Sequence, residues 1–161
     1  RIVHSDDVPW ESEAHGPWFA PQRQRLGRAA GGRLLGASLF RLEPGKAAFP
    51  AHFHHANEEA ILVLSGAGTI RLGAEEYPVA RGDYIALPPG SGEAHQVRNT
   101  SGEPLEYLCV STMLHPDVSE YPDSGKVGVF TGVAPGGDPA ARRLYGFYKK
   151  GATVDYYEGE A

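Results

Sequence analysis

Three side chains with a strong affinity for metals fall within eight residues of one another: His52, His54 and Glu59, in the stretch Pro50-Ala51-His52-Phe53-His54-His55-Ala56-Asn57-Glu58-Glu59-Ala60-Ile61-Leu62-Val63-Leu64-Ser65-Gly66. Alternate residues of a strand point to one face, so His52 and His54 project together and His55 projects away. Asn57-Glu58 reads as a turn, and Glu59 opens an apolar run that ends before Gly66. Two imidazoles from one strand and a carboxylate from the next can converge on one divalent metal, since first-row metals accept both ligand types. A reactive site keeps a position open beside three or four protein ligands, and His95 is the candidate for the fourth. Glu58 competes with Glu59, but period two groups Glu59 with the apolar Ile61 and Val63. His4, His15 and His115 lie in irregular polar stretches and are expected in solvent.

Strands must carry these residues. Gly (21) and Pro (13) are frequent, and they separate short apolar runs, which is the pattern of many strands joined by turns. The expected strands are 34–42, 48–55, 59–65, 69–72, 75–79, 84–87, 94–99, 105–112, 126–131 and 144–148. Gly73-Ala74 fits a tight hairpin, and Gly66-Ala67-Gly68 reads as a turn. Pro88-Pro89-Gly90-Ser91-Gly92 cannot be regular, because its prolines lack donors and its glycines permit positive φ. His95, Val97 and Asn99 share one face of the strand that follows. The segment 115–125 is expected to be irregular. So is the arm 1–30, whose Trp10, Trp18 and Phe19 are expected to pack as the arm wraps over the domain or crosses to a partner subunit. About ten short strands without helical periodicity predict an all-β sandwich or barrel.

Composition limits the function. A chain of 161 residues, 41% hydrophobic, suits one domain with a sizeable core. With 15 Lys+Arg against 20 Asp+Glu, the net charge of −5 disfavours nucleic acid or an anionic membrane as partner. No apolar run approaches a membrane span and no leader segment opens the chain, so a cytoplasmic location is expected. Cys109 is the only cysteine, which rules out an intramolecular disulfide, and its apolar surroundings predict a buried structural thiol. Ser124-Gly125-Lys126 resembles the end of a phosphate loop but lacks the earlier glycine and a following helix. No nucleophilic-serine motif is present.

The wider pattern strongly resembles the cupin superfamily. Its first motif is matched by Gly45, His52-Phe53-His54, Glu59 and Gly66, with six residues after Gly45 where five are usual. Its second motif is matched by Gly82, Pro88, Gly92, His95 and Asn99, with three residues rather than one between Pro88 and Gly92. The Gly66 spacing favours Glu59 over Glu58. The resemblance spans Gly45 to Asn99 and implies an antiparallel jelly-roll β-barrel of six to ten strands. By position it implies His52, His54, Glu59 and His95 as ligands of one divalent transition metal, with Zn, Mn, Fe, Ni, Co and Cu all open. The expected organisation is a single cupin-like domain: arm 1–30, barrel core 34–112 carrying both motifs, and C-terminal strands and loops over 113–161. The tract 121–129 and the tail 155–160 resemble a group of small single-domain bacterial cupins. The family includes oxygenases, decarboxylases, isomerases and non-catalytic binding proteins, so the fold leaves the reaction open. The expectation is a metal-dependent enzyme acting on a small organic acid, polyol or sugar-like molecule, with a ligand-binding module as the alternative and a homodimer as the assembly. Tyr107, Glu58 and Tyr84 are the candidate acid–base groups, weighed against ordinary packing or surface roles.

Overall fold

Alternating polar and apolar residues produce strands almost throughout, and the strands pair antiparallel. The computed structural model describes residues 1–160. One six-stranded sheet has the order β1 (Glu11–Ser12), β2 (Gln22–Gln24), β3 (Leu35–Leu42), β10 (Leu105–Thr112), β5 (Glu59–Ser65), β8 (Tyr84–Leu87). A three-stranded sheet runs β7 (Glu75–Ala80), β6 (Ala67–Leu72), β9 (His95–Arg98), and a four-stranded sheet runs β13 (Tyr145–Lys149), β12 (Lys126–Phe130), β11 (Asp117–Tyr121), β4 (Phe53–His54). The only α-helix among the described residues is α1 (Leu26–Ala29). Among the described residues no helix is long and apolar enough to cross a membrane.

The two smaller sheets are stitched together through residues 47–52. Ala47 bridges Arg98, the Ala48 N–H donates to the Val97 carbonyl, and His52 and His95 exchange backbone bonds of 3.2 and 2.8 Å. The core lies against the six-stranded sheet. Phe40, Leu42, Ile61, Val63, Leu105 and Tyr107 from that sheet pack with Ala48, Ile70, Val79 and Val97. Each such large side chain stabilises the fold by about 1.5–3 kcal/mol relative to leaving it exposed. The apolar core thus fixes the same strands that carry the histidines and Glu59.

Several expectations need correction. The strand expected over 48–55 is regular only at Phe53–His54, because Pro50 lacks a donor and the segment meets β9 through isolated bridges. The segment 115–125, expected to be irregular, contains β11. Asp117 and Ser119 are its buried residues, so its inward face is polar and an apolar pattern could not reveal it. The arm is not irregular throughout: β1 and β2 extend the large sheet of the same chain. It is pinned by buried Gln24, whose Nε2 donates to the carbonyls of Ser5 and Val8 at 2.9 and 2.6 Å. Trp10 packs under the Arg41 guanidinium, but Trp18 stays exposed. Ala67 and Gly68 belong to β6, leaving only Gly66 in the turn, with φ of 75° and a Cβ position that would collide with the Pro104 carbonyl.

Asn99 follows β9 and braces the loop after it. Its amide donates to the Leu42 and Glu103 carbonyls, both at 2.8 Å, and its Oδ1 accepts from the Ser101 N–H and hydroxyl, both at 2.9 Å. Asn99 and Leu42 are both buried, so truncation leaves the Leu42 carbonyl without this donor and away from water. Asn99→Ala is expected to cost about 2–4 kcal/mol in urea unfolding; a loss below about 0.5 kcal/mol would contradict this bracing role.

Candidate metal centre

His52 and His54 come from the segment that joins the two smaller sheets, Glu59 from the first position of β5, and His95 from the first position of β9. The turn before Glu59 is held by buried Asn57, which accepts from the Leu114 N–H at 2.8 Å and donates to its carbonyl at 3.0 Å. The Glu58 N–H donates to Thr112 Oγ1, and the Glu58 side chain points to solvent. Glu59 consequently faces inward. The Pro/Gly loop closes on the other side, where the Gly90 N–H donates to the His54 carbonyl at 2.8 Å. Gly90, one of the three residues between Pro88 and Gly92, therefore makes the backbone contact beside the site.

The structure gathers three of the four expected residues, His52, His54 and Glu59, and sets His95 against their carboxylate. One donor atom each of His52, His54 and Glu59 lies within 4.8 Å of the others. His95 lies outside that three-residue group and adjoins it at the carboxylate, with Nε2 3.2 Å from Glu59 Oε2, while His54 Nε2 is 3.7 Å from the same oxygen. The His52 ring centroid is 5.1 Å from that of His54 and 4.6 Å from that of His95. His55 turns outward to Glu120 at 2.9 Å, and His4, His15 and His115 are exposed.

The outer nitrogens of two imidazoles are already engaged. His52 Nδ1 is 2.8 Å from the Pro50 carbonyl, and His54 Nδ1 is 2.7 Å from Asp117 Oδ2. A carbonyl and an ionised carboxylate only accept, so both Nδ1 atoms carry the proton. In the neutral rings each Nε2 then keeps its lone pair and can bind a cation. Asp117 is itself fixed, accepting from the Ala56 N–H at 2.9 Å, and Ser119 Oγ adds a contact to His54 Nδ1 at 3.0 Å. Asp117 and Ser119 escaped sequence reading because β11 did; the alternation Asp117, Ser119, Tyr121 was the available signal.

Protonation follows the geometry. Burial, with the neighbouring charges of His95 and His54, pushes His52 down to about 3, outweighing Glu59 and the Pro50 carbonyl. Burial would raise Glu59, but the hydrogen bond from His95 and the charges of His54, His95 and His52 bring it to about 2. Burial likewise opposes protonation of His54, yet the Asp117 hydrogen bond and the charges of Glu59 and Asp117 raise it above its ordinary value. A neutral imidazole beside an ionised carboxylate, with a second imidazole oriented by a buried aspartate, is a donor set suited to a divalent first-row metal.

The candidate acid–base groups are placed elsewhere. Tyr107 is buried against Phe40, with ring centroids 5.1 Å apart, while Tyr84 and Glu58 are exposed. Sequence reading missed Tyr121 of β11, whose ring stacks on His52 at 5.5 Å and 20°. Burial is the main cause that lifts its hydroxyl to about 12, so it remains an O–H donor at neutral pH. Cys109 is half-buried, and desolvation raises its thiol well above the usual range, as expected for an unreactive thiol.

Residues 38–111 match the family described as Cupin domain. Among curated proteins, the chain is 33% identical over 90 residues to quercetin 2,3-dioxygenase of Bacillus subtilis, a match covering 53% of this chain and 26% of that protein. The chain spans less than half the length of the curated relatives it matches, at most 46%. Two solved structures align over nearly all of both chains. One is provisionally named a sugar phosphate isomerase, from Acidithiobacillus ferrooxidans (TM-score 0.81, 28% identity, 96% of this chain and 95% of that one). The other is a sugar phosphate isomerase of the cupin superfamily from Silicibacter pomeroyi (TM-score 0.79, 25% identity, 97% and 98%).

Two outcomes are expected. Asp117→Asn should weaken Zn²⁺ binding by roughly 10–100-fold in competition with a chromogenic chelator, whereas His55→Ala should leave it unchanged. In metal-free protein, His52 (about 3 against 6.5 unfolded) stabilises the fold fully above pH 6.5 and loses that contribution as pH falls toward 3. Glu59 acts in the same sense from 4.5 down to about 2, and His54, shifted upward, acts oppositely as pH rises. The melting temperature of chelator-treated protein should therefore drop between pH 6.5 and 3, and His52→Gln should flatten that slope; an unaltered slope would contradict a neutral His52.

Proposed function

The chain is a member of the cupin superfamily, and from that premise we propose that His52, His54, Glu59 and His95 together hold one divalent transition metal at which a small sugar-like or organic-acid substrate is converted. In this reading the three sheets wrap as an antiparallel jelly-roll around the site. The observation that carries the proposal is the fixing of both Nδ1 protons, by Pro50 and Asp117, which leaves two Nε2 lone pairs beside an ionised Glu59. A bound metal would polarise a substrate oxygen as a Lewis acid.

The chain's own residues do the rest. Asp117 keeps the proton on His54 Nδ1 and holds the ring in place. Glu59 stays anionic and keeps His95 turned toward the centre. Tyr121 covers the outer face of His52 and offers a protonated hydroxyl beside it. A small cleft of about 30 Å³, lined by residues including His54, Leu87, Pro88 and His95, opens on the side of the Pro/Gly loop. The two neighbours that align with 95% or more of both chains are named for sugar phosphate isomerisation, one of them provisionally, and the dioxygenase likeness covers only 26% of that relative, so isomerisation is the favoured reaction. It needs a polarised carbonyl, which a bound metal would supply, and a base that moves a proton between adjacent carbons.

Elemental analysis of the purified protein should find one transition-metal ion per chain, and His52→Ala and His95→Ala should lose most of it. Equal metal in all three would end the reading. With phosphorylated aldoses and ketoses, the metal-loaded protein should interconvert the isomers without consuming O₂. Substrate-dependent oxygen uptake would replace isomerisation by oxygenation, and a tightly held sugar recovered unchanged would make the protein a binder.

A further inference from the structure

The inner face of the C-terminal sheet extends beyond the residues that brace the metal centre. Register places Asp117, Ser119 and Tyr121 of β11 opposite Phe130, Gly128 and Lys126 of β12, and these opposite Tyr145, Phe147 and Lys149 of β13. Asp117 and Ser119 touch His54, and Tyr121 stacks on His52, so one continuous face runs from the centre outward. Beyond Tyr121 the face becomes aromatic and basic. Lys126 Nζ lies 5.1 Å from the Tyr121 ring centroid and 5.9 Å from that of Phe147. Phe147 meets Tyr121 and Phe130 edge-on, at 5.7 and 6.0 Å. Gly128 permits this arrangement: a Cβ there would approach Phe147 Cε1 to 2.9 Å and Phe130 Cε2 to 3.0 Å, so both rings converge over bare backbone.

Lys126 is the residue this packing does not explain. The neighbouring lysines have oxygen partners, Lys149 at the Ser124 carbonyl and Lys150 at Glu120. Among the described residues the Lys126 ammonium has neither an ion pair nor a hydrogen bond, although the residue is half-buried; it lies over two rings instead. Those faces attract the charge but accept none of its three N–H bonds in the way an oxygen would. Phe147 and Tyr145 remain 48% and 41% exposed, so the aromatic surface beside the ammonium is open to a ligand.

We propose that this face is a substrate-binding wall for a small molecule bearing an oxyanion, its body lying on Tyr121 and Phe147 and its carboxylate or phosphate held by Lys126. The inference rests on the His52–Glu59 cluster being the reaction centre, which Tyr121 joins to Lys126 by direct contact with each. Carboxylate and phosphate share the chemistry a lone ammonium recognises: anionic oxygens accepting charge-assisted hydrogen bonds. A neutral molecule of the same shape would keep the stacking and lose the ion pair.

The test is calorimetric titration of Zn²⁺-loaded protein with phenyl phosphate, benzoate and neutral benzyl alcohol. The wild type should bind at least one of the two anions, and which one identifies the oxyanion. Lys126→Gln should weaken that binding by at least about tenfold, Lys126→Arg should largely retain it, and benzyl alcohol should not discriminate between wild type and Lys126→Gln. Equal anion affinity in wild type and Lys126→Gln, or no anion binding to the wild type at millimolar concentration, overturns the proposal. Chelator-treated protein separates it from the metal reading. A Lys126-dependent loss that persists without metal supports the wall whatever becomes of the centre. Binding that vanishes with the metal and ignores Lys126→Gln overturns the wall and leaves the centre standing.

Discussion

The site depends on the half-buried carboxylate of Glu59. Glu59 sits among three imidazoles, 3.2 Å from His95 Nε2 and 3.7 Å from His54 Nε2. Removing such a charge from water costs several kcal/mol, and it stays ionised because positive or polarisable neighbours surround it. Those neighbours come from the segment ahead of β4, from β4 itself and from β9, so the arrangement exists only when two sheets are correctly joined. Much of the nearby polar structure serves that requirement. Asn57 fixes the turn that aims Glu59 inward, the Gly90 N–H holds the His54 backbone, and Asp117 fixes the His54 ring.

A division of labour within the fold follows. Leu42, Leu105, Val63 and Ile70 fill a conventional apolar core and hold the strands in register. Beside this core, Asp117, Ser119, His54 and His95 form a buried polar region in which nearly every group is partnered. Buried polar networks of this kind gain their energy only when complete, and they favour one arrangement over its neighbours. The unpartnered ammonium of Lys126 stands out against that background, at the edge where the buried region opens into exposed aromatic surface.

Much of this was legible in the sequence. His52, His54, Glu59 and His95 could be singled out because alternation, turn residues and motif spacing act over short distances, and the boundaries of β5, β8 and β10 followed from the same alternation. The parity that separates Glu59 from Glu58 and His54 from His55 is preserved. What escaped was non-local. β11 turns polar residues inward, so its pattern resembles a loop until its partners β4 and β12 are known. With β11 went Asp117, Ser119 and Tyr121, which support the site from more than sixty positions away in the chain. Tyr107 illustrates the converse: a tyrosine on an inward face can be pure packing, and only its stack on Phe40 shows it.

The central claim is that these four side chains bind one metal together. X-ray absorption spectroscopy of protein loaded with a single equivalent of Zn²⁺ addresses it directly. The account predicts an inner shell of nitrogen and oxygen at roughly 2.0–2.2 Å, with outer-shell scattering from three imidazoles that falls to two in His95→Ala. A shell without imidazole scattering, or one unchanged by His95→Ala, would contradict it.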